Sequence, residues 1–314
     1  MRFLLRRLAM LVASLLVASF LIFAAMYAAP GNPLAALSGG RSLSPEAQAA
    51  LEQRYHLDQP FFKQYWYWLS GAVHGDLGIS ITLKQDVSSL IAQRAWITMS
   101  LVLYASILIV LIGVGLGIVA GLKSGWLDTS ILVVSSFCAA IPAFVAAIVL
   151  ALVFAVTLGW FPTMGTGEGF FGNLRALTLP AISLAISAIA IVARVTRAAI
   201  REEAGKEHVQ TAVSRGIPRH FVITRHVLRN ASIPITTVTG ITIASLIAGS
   251  AVVEQAFGLN GLGQWLVRAA ASKDLAVVQG ISLLLVIAFV VVNVVVDILY
   301  AVLDPRVTLG QRAS

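Results

Sequence analysis

Six long apolar runs constrain this 314-residue chain more than any other feature. A helix needs about 20 apolar residues to cross a bilayer, and its backbone groups must be paired within the helix. A soluble protein usually has about 25% charged residues, whereas this chain has 11% and is 58% hydrophobic. We therefore predict an all-α, polytopic membrane protein with six transmembrane helices. They are Leu8–Ala29, Trp96–Leu122, Ile131–Leu158, Leu177–Ala193, Ile233–Val253 and Val277–Leu303.

The basic residues set the predicted orientation. With the N-terminus in the cytoplasm, 14 Lys and Arg residues lie inside and 8 outside, in agreement with the positive-inside rule. Both termini are then cytoplasmic. The net charge of +8 is explained as an orientation signal, so nucleic-acid binding is not needed to account for it. The first run follows three arginines, but its length of about 20 residues exceeds the 7–15 of a cleavable signal peptide, which favours a retained anchor.

Residues 30–95 form an external segment that is too long for a turn. A short helix is predicted to begin after Ser44, a residue type that caps backbone N–H groups. Six aromatic residues follow between positions 61 and 68. Aromatic residues at this density favour either the membrane–water interface or a protein partner. Under the second alternative, Tyr65 and Trp66 are the candidates for docking an external protein.

The segment Arg194–Ser232 lies inside and is too polar to span the membrane. Gly216 is typical of a left-handed helix terminator, and Pro218 restarts a helix. The sequence predicts two short helices that meet at an angle, with a hinge at Gly216. They are also too apolar to stand free in water, which indicates a cytoplasmic partner.

At this segment the chain resembles the membrane permeases of binding-protein-dependent ATP-binding cassette (ABC) importers, in the dipeptide/oligopeptide/nickel branch. The general motif of the loop that touches the ATPase is Glu-Ala-Ala, three residues and Gly. Here Gln210-Thr211-Ala212 replaces the triplet and Gly216 is in place. Because the acidic residue is missing, we assign Gln210 no charge-pairing role. The stretches that carry the resemblance are Pro30–Pro33, His56–Pro60, Gly75–Gly78, Glu207–Gly216, Arg225–Ala231, Glu254–Gly258, Gly261–Gly263 and Asp304–Arg306.

The resemblance implies a type I ABC importer permease fold. Residues 1–29 would be an N-terminal helix, 30–95 an extracytoplasmic segment, and 96–314 a five-helix core that carries the coupling loop 194–232. The implied function is to form half of a pathway for di- or oligopeptides, with nickel, glutathione or haem as alternative substrates. The implied partners are a second homologous permease, two ATPase subunits and an extracytoplasmic binding protein, in a bacterial inner membrane. The ATPase-coupling residues are Glu207, Gln210, Thr211, Ala212, Arg215 and Gly216.

The sequence predicts no catalytic, cofactor or metal site. Near Gly205-Lys206 the P-loop spacing fails, because Glu207 stands where Ser or Thr is required, so another chain must hydrolyse ATP. The single cysteine, Cys138, excludes a disulfide within the chain. A proton-coupled carrier needs ionisable groups in its spans, and the predicted spans contain Asp297 alone. A stand-alone secondary transporter is the alternative class.

Small and weakly polar residues in the spans have two predicted uses. Glycines at positions 113, 115, 117 and 121 predict close packing of helices. Serine and threonine hydroxyls are candidates to line the substrate pathway, although each can instead bond a carbonyl of its own helix. The pathway candidates are Thr237, Ser245, Ser183 and Ser187.

Overall fold

The computed structural model describes residues 2–28, 44–54 and 57–303. Throughout these residues the regular elements are helices, and an isolated antiparallel bridge joins Ile79 to Asp86. The all-α class is therefore confirmed. In chain order the helices are α1 (Arg2–Tyr27), α2 (Pro45–Arg54), α3 (Phe61–Val73), α4 (Val87–Leu122), α5 (Trp126–Ala140), α6 (Ala143–Thr157), α7 (Gly169–Ala204), α8 (Glu207–Ser214), α9 (Arg219–Phe257), α10 (Leu262–Ala271) and α11 (Leu275–Leu303).

Among the described helices, α1, α4, α7, α9 and α11 are each long and apolar enough to cross a membrane. α5 and α6 meet the same test together, but they are bent by 99° at the break between them. The predicted third span, Ile131–Leu158, is therefore not one straight helix. Pro142 explains the break, because proline donates no N–H and drives the preceding residue out of the helical region. Accordingly, Ile141 is extended, with ψ of 116°.

Three of the membrane helices are longer than the spans predicted for them. α4 and α7 have 36 residues and α9 has 39, which at about 1.5 Å per residue exceeds the ~30 Å hydrocarbon core. α7 continues past Ala193 to Ala204, and α9 begins at Arg219, well before Ile233. The second short helix predicted after Gly216 is therefore the first part of α9. Polarity marks where a helix leaves the membrane, but it does not end the helix.

The chain divides into two compact units. One comprises residues 1–96 with 261–288, and its apolar cluster joins Val87 of α4, Trp265 of α10 and Ile281 of α11. The other comprises residues 97–260 with 289–314 and contains α7, the most buried of the membrane helices. The first unit therefore has its own apolar cluster, and the second has its own buried helix, α7.

Glycines allow α4 to approach α7 closely. A Cβ on Gly117 would lie 2.4 Å from the Cβ of Thr196, and one on Gly121 would lie 2.8 Å from the Cβ of Ile200. Both distances are shorter than any normal carbon–carbon contact, so the predicted close packing is confirmed at these positions. Gly115, by contrast, faces open space.

We expect Gly117→Ala to destabilise the protein by about 1–3 kcal/mol, because overpacking forces helices apart. The matched control is Gly115→Ala on the same helix, whose added methyl meets nothing and slightly favours helix formation. The measurement is the midpoint of thermal denaturation of each purified variant in detergent, followed by circular dichroism. Equal midpoints would contradict the close approach of α4 and α7.

Candidate functional site

α8 is a two-turn helix that connects α7 to α9, and it ends as the sequence predicts. Gly216 has φ of +75°, the left-handed conformation that glycine adopts without strain. The N–H groups of Gly216 and Ile217 donate to the carbonyls of Val213 and Ala212 at 2.9 and 3.2 Å. These paired bonds form a Schellman motif. The prediction that Gly216 terminates a helix is confirmed.

The inner face of α8 is apolar and covered by the chain itself. Val209 and Ala212, three residues apart on one face, are 4% and 5% exposed. They belong to an apolar cluster with Ile200 of α7 and with Val222 and Val227 of α9. The methyl group of Ala212 therefore packs against the chain's own helices, and its part in ATPase coupling stays a prediction.

α8 and the first turn of α9 carry exposed polar residues and two of the apolar side chains that make this segment too apolar to stand free in water. Val213 is 60% exposed, and Phe221, in the first turn of α9, is 49% exposed. Their apolar character was visible in the sequence, but the face on which each lies was not. The polar residues on this exposed surface are Glu207, Gln210, Thr211 and Arg215.

Glu203, close to the end of α7, joins three helices and was missed by the sequence analysis. Its side chain is almost fully buried and accepts hydrogen bonds from Lys206 Nζ at 2.6 Å and Asn230 Nδ2 at 2.8 Å. Nε2 of His208, in α8, lies 3.2 Å from the same carboxylate. The hydrogen bond to Glu203 raises the pKa of Lys206. Glu203 thereby ties the ends of α7 and α9 to α8.

A second ionic cluster fixes the turn between α4 and α5 to α7. The Arg197 guanidinium binds both carboxylate oxygens of Asp128, with Nη2 2.8 Å from Oδ2. Arg201 Nη2 donates to the same Oδ2 at 2.6 Å and to the carbonyls of Ala120 and Lys123 at 3.4 Å. Bidentate guanidinium–carboxylate pairs are strong and directional. Asp128 was also missed, because its partners lie about 70 residues away in the sequence.

The four predicted pathway residues differ in exposure. Ser183 is fully buried, so it lines no open surface of this chain. Ser245 is exposed, and Thr237 and Ser187 are half-buried. The hydroxyls of Ser183, Thr237 and Ser245 donate to carbonyls one turn earlier in their own helices, at 2.8, 3.0 and 2.7 Å. Hydrogen bonding to a carbonyl of the same helix, the alternative use predicted for these hydroxyls, is therefore what these three residues show.

The two candidates for docking an external protein face in different directions. The Tyr65 ring packs against Phe20 and Phe23 of α1, with centroids 5.4 and 5.6 Å apart. Its hydroxyl lies 2.9 Å from Ser19 Oγ. Trp66 is 67% exposed. Tyr65 therefore belongs to the contact between α1 and α3, whereas Trp66 is on the surface, and docking of an external protein at either residue stays a prediction.

Within the described ranges, no three His, Cys, Asp or Glu side chains are grouped so that they could hold a metal ion. Cys138 is a free, half-buried thiol in α5. The chemistry of the region around α8 is therefore that of hydrogen bonds, ion pairs and apolar contacts, which suits a mechanical connection between proteins.

Comparison with known families agrees with this arrangement. Residues 113–309 match the family described as the binding-protein-dependent transport system inner membrane component, and residues 1–102 match the N-terminal part of such components. The chain belongs to this family. It is a permease subunit of an ABC importer, it contains the membrane spans, and a partner ATPase hydrolyses the ATP.

Individual relatives extend over nearly the whole permease. A peptide transport system permease protein of Brucella abortus is 40% identical over 307 residues, which cover 96% of this chain and 98% of the relative. The glutathione transport system permease protein GsiC of Escherichia coli K12 is 33% identical over 312 residues, with 98% and 99% coverage. An inward-facing structure of the MetNI methionine ABC transporter superposes with a TM-score of 0.57 at 18% identity, over 68% of this permease and 96% of that chain. This likeness confirms the predicted permease fold.

We expect Glu203→Gln to loosen α8 by about 1.5–3 kcal/mol, the usual range for a hydrogen bond to a charged group. The ion pair with Lys206 is lost and the buried site keeps a neutral amide. Glu202→Gln is the matched control, since the Glu202 side chain is 78% exposed and lies 4.0 Å from Lys206. Hydrogen exchange of the amides in residues 207–214 measures the effect. Identical exchange in the two variants would rule out Glu203 as the residue that holds α8.

Proposed function

We propose that this permease imports peptides and forms one half of a translocation pathway that a second homologous permease completes. The observation that carries the proposal is the 40% identity to a peptide permease over nearly the full length of both chains. The relative named for glutathione supports the same substrate class, because glutathione is itself a tripeptide. Nickel and haem are the competing substrates. An extracytoplasmic binding protein delivers the peptide, and two ATPase subunits drive transport.

The proposed contact with the ATPase is the outer face of α8 together with the first turn of α9. Val213 of α8 and Phe221 of α9 are exposed apolar side chains. Burying them in a cleft of a partner would stabilise the complex. Glu207, Thr211 and Arg215 of the same short segment are exposed polar residues. Gln210 has a smaller share, because its Nε2 donates to the Gly205 carbonyl at 3.1 Å. An apolar centre with a polar rim is the usual anatomy of a protein interface.

Movement of the ATPase would reach the membrane through α7 and α9. α8 is short, and Glu203 holds it to both long helices through Lys206, His208 and Asn230. α7 and α9 continue without a break from this region into the apolar spans. A displacement of α8 therefore moves two spans together.

The proposed orientation puts both termini and residues 194–232 in the cytoplasm and residues 30–95 outside. It is supported by the excess of 14 basic residues inside over 8 outside and by the need for α8 to meet a cytoplasmic ATPase. A cysteine at Gln210 that reacts with an impermeant thiol reagent in intact cells would contradict it. Within the pathway, Ser245, Thr237 and Ser187 remain the proposed lining residues.

We expect the complete complex, reconstituted in liposomes with its binding protein outside and ATP inside, to accumulate labelled di- and oligopeptides. Replacing ATP with a non-hydrolysable analogue should abolish accumulation, because transport depends on ATP hydrolysis by the partner ATPase subunits. Accumulation of nickel or haem instead of peptides would overturn the substrate class. Peptide uptake by the permease alone would favour a secondary transporter.

We expect Gly216→Val to abolish substrate-stimulated ATP hydrolysis and uptake while the permease still assembles in the membrane. The reason is backbone strain: a β-branched residue at positive φ costs at least ~1 kcal/mol, so α8 tilts on the helices that hold it. Gly205→Val is the matched control, since Gly205 has φ of −83° and an added Cβ meets atoms only at 3.6 Å or beyond. Stimulated hydrolysis at the normal rate in Gly216→Val would remove α8 as the coupling element.

A further inference from the structure

α3 divides its aromatic residues between two faces. Phe61, Tyr65 and Trp68, at helical spacing on one side, pack against α1, with ring centroids 4.9–5.8 Å from those of Phe20, Phe23 and Tyr27. On the opposite side, Phe62 is 72% exposed and Trp66 is 67% exposed. One face is thus explained by α1, and the other has no occupant within the described chain.

The position of α3 along α1 indicates what covers the second face. The apolar window of α1 is Ala9–Tyr27, and we take its last residue, Tyr27, as the boundary of the hydrocarbon core on that side. Phe23, which contacts three aromatic rings of α3, lies about 6 Å inside that boundary at 1.5 Å per residue. Amphipathic helices in the plane of a membrane lie at this depth, about 5–10 Å into the boundary between headgroups and acyl chains. At this depth the outer face of α3 would contact lipid and not water.

The hydroxyl of Tyr65 supports this depth. It lies 2.9 Å from Ser19 Oγ and 3.4 Å from the carbonyl of Leu16, two residues well inside the apolar window of α1. A phenol that reached so far into the bilayer without partners would carry a large desolvation cost. Because α1 supplies the partners, the Tyr65 hydroxyl can lie below the headgroups without losing its hydrogen bonds.

α1, against which α3 packs, has an exposed apolar face of its own. Leu16, Val17 and Leu21 of α1 are 47%, 59% and 60% exposed, as expected for a span that meets lipid. Phe62 and Trp66 of α3 are likewise exposed and apolar. Lys63 is exposed beside them, and a lysine can bury its aliphatic stem while its ammonium group reaches the phosphates of the headgroups.

We propose that α3 is an interfacial helix whose outer face, Phe62 and Trp66 with Lys63 beside them, binds phospholipid of one leaflet and anchors that end of α1. Phe62 and Trp66 contact the upper acyl chains, and Lys63 pairs with a phosphate group. The face is then occupied by the bilayer rather than by a binding protein. α3 lies outside the segment that is proposed to contact the ATPase.

Site-directed spin labelling of the assembled transporter tests the proposal, in nanodiscs of phosphatidylethanolamine and phosphatidylglycerol. In a Cys138→Ser background, labels are attached at Phe62→Cys and, separately, at Trp66→Cys. Val17→Cys on the exposed face of α1 is the lipid control, and Gln48→Cys on the exposed polar helix α2 is the water control. Collision with oxygen reports lipid, and collision with a water-soluble nickel chelate reports water.

We expect both labels on α3 to collide with oxygen about as often as the label at Val17, and with the nickel chelate several-fold less often than the label at Gln48. Nickel accessibility equal to that at Gln48 would mean a water-facing surface and would overturn the proposal in favour of binding-protein docking. Low accessibility to both reagents would mean that a protein subunit covers the face, which would also overturn it. The use of two label sites keeps the test decisive if one substitution disturbs α3.

Discussion

The close contact between α4 and α7 is the constraint on which the larger unit depends. In lipid there is no hydrophobic drive between helices, so association relies on close packing and on polar contacts. Gly117 and Gly121 let the α4 backbone approach α7 so closely that a methyl group on either glycine would clash with α7. α7 is accordingly 67% buried over its apolar window, against 11% for α1. Once α7 is held in this way, both ionic clusters can form at its end.

Those clusters differ from ordinary surface ion pairs. Exposed pairs are usually worth about 0–1 kcal/mol, but Asp128 and Glu203 are almost fully buried. Asp128 binds Arg197 and Arg201 of α7, and Glu203 binds Lys206 and Asn230, which come from two segments of the chain. Asp128 fixes the turn between α4 and α5, and Glu203 fixes α8 and α9. Since Arg197, Arg201 and Glu203 lie within two turns of α7, the end of one helix organises every neighbouring segment.

The sequence predicted the features that depend on local chemistry. Apolar length located helices at all six predicted spans, and Gly216 ended α8 with the expected positive φ. The failures have a common cause, which is that single-residue chemistry does not reveal the face or the distant partner. Ala212 packs against α7 and α9, and the ring of Tyr65 packs against α1, and neither placement follows from residue type. The partners of Asp128 are about 70 residues away, and no periodic pattern connects them.

The break between α5 and α6 shows a different limit. Ile131–Leu158 is apolar throughout, so a hydropathy pattern fits one span, although Pro142 is present in the middle. Proline is tolerated within membrane helices when neighbours satisfy the freed carbonyl, and α7 and α9 contain Pro180 and Pro234 without breaking. Ile141 takes the extended conformation that a following proline favours, and the chain turns by 99° at this point.

The hydroxyl groups of the spans have a consequence for transport. Ser183, Thr237 and Ser245 donate to carbonyls of their own helices, so their protons are already used and their oxygens are left as weak acceptors. The first five predicted spans also contain no Asp, Glu, Lys or Arg. The proposed lining by Thr237 and Ser245 therefore offers a substrate few strong bonds, which would keep bound intermediates shallow and let the substrate leave. Strong selection would then fall to the binding protein on which transport systems of this family depend.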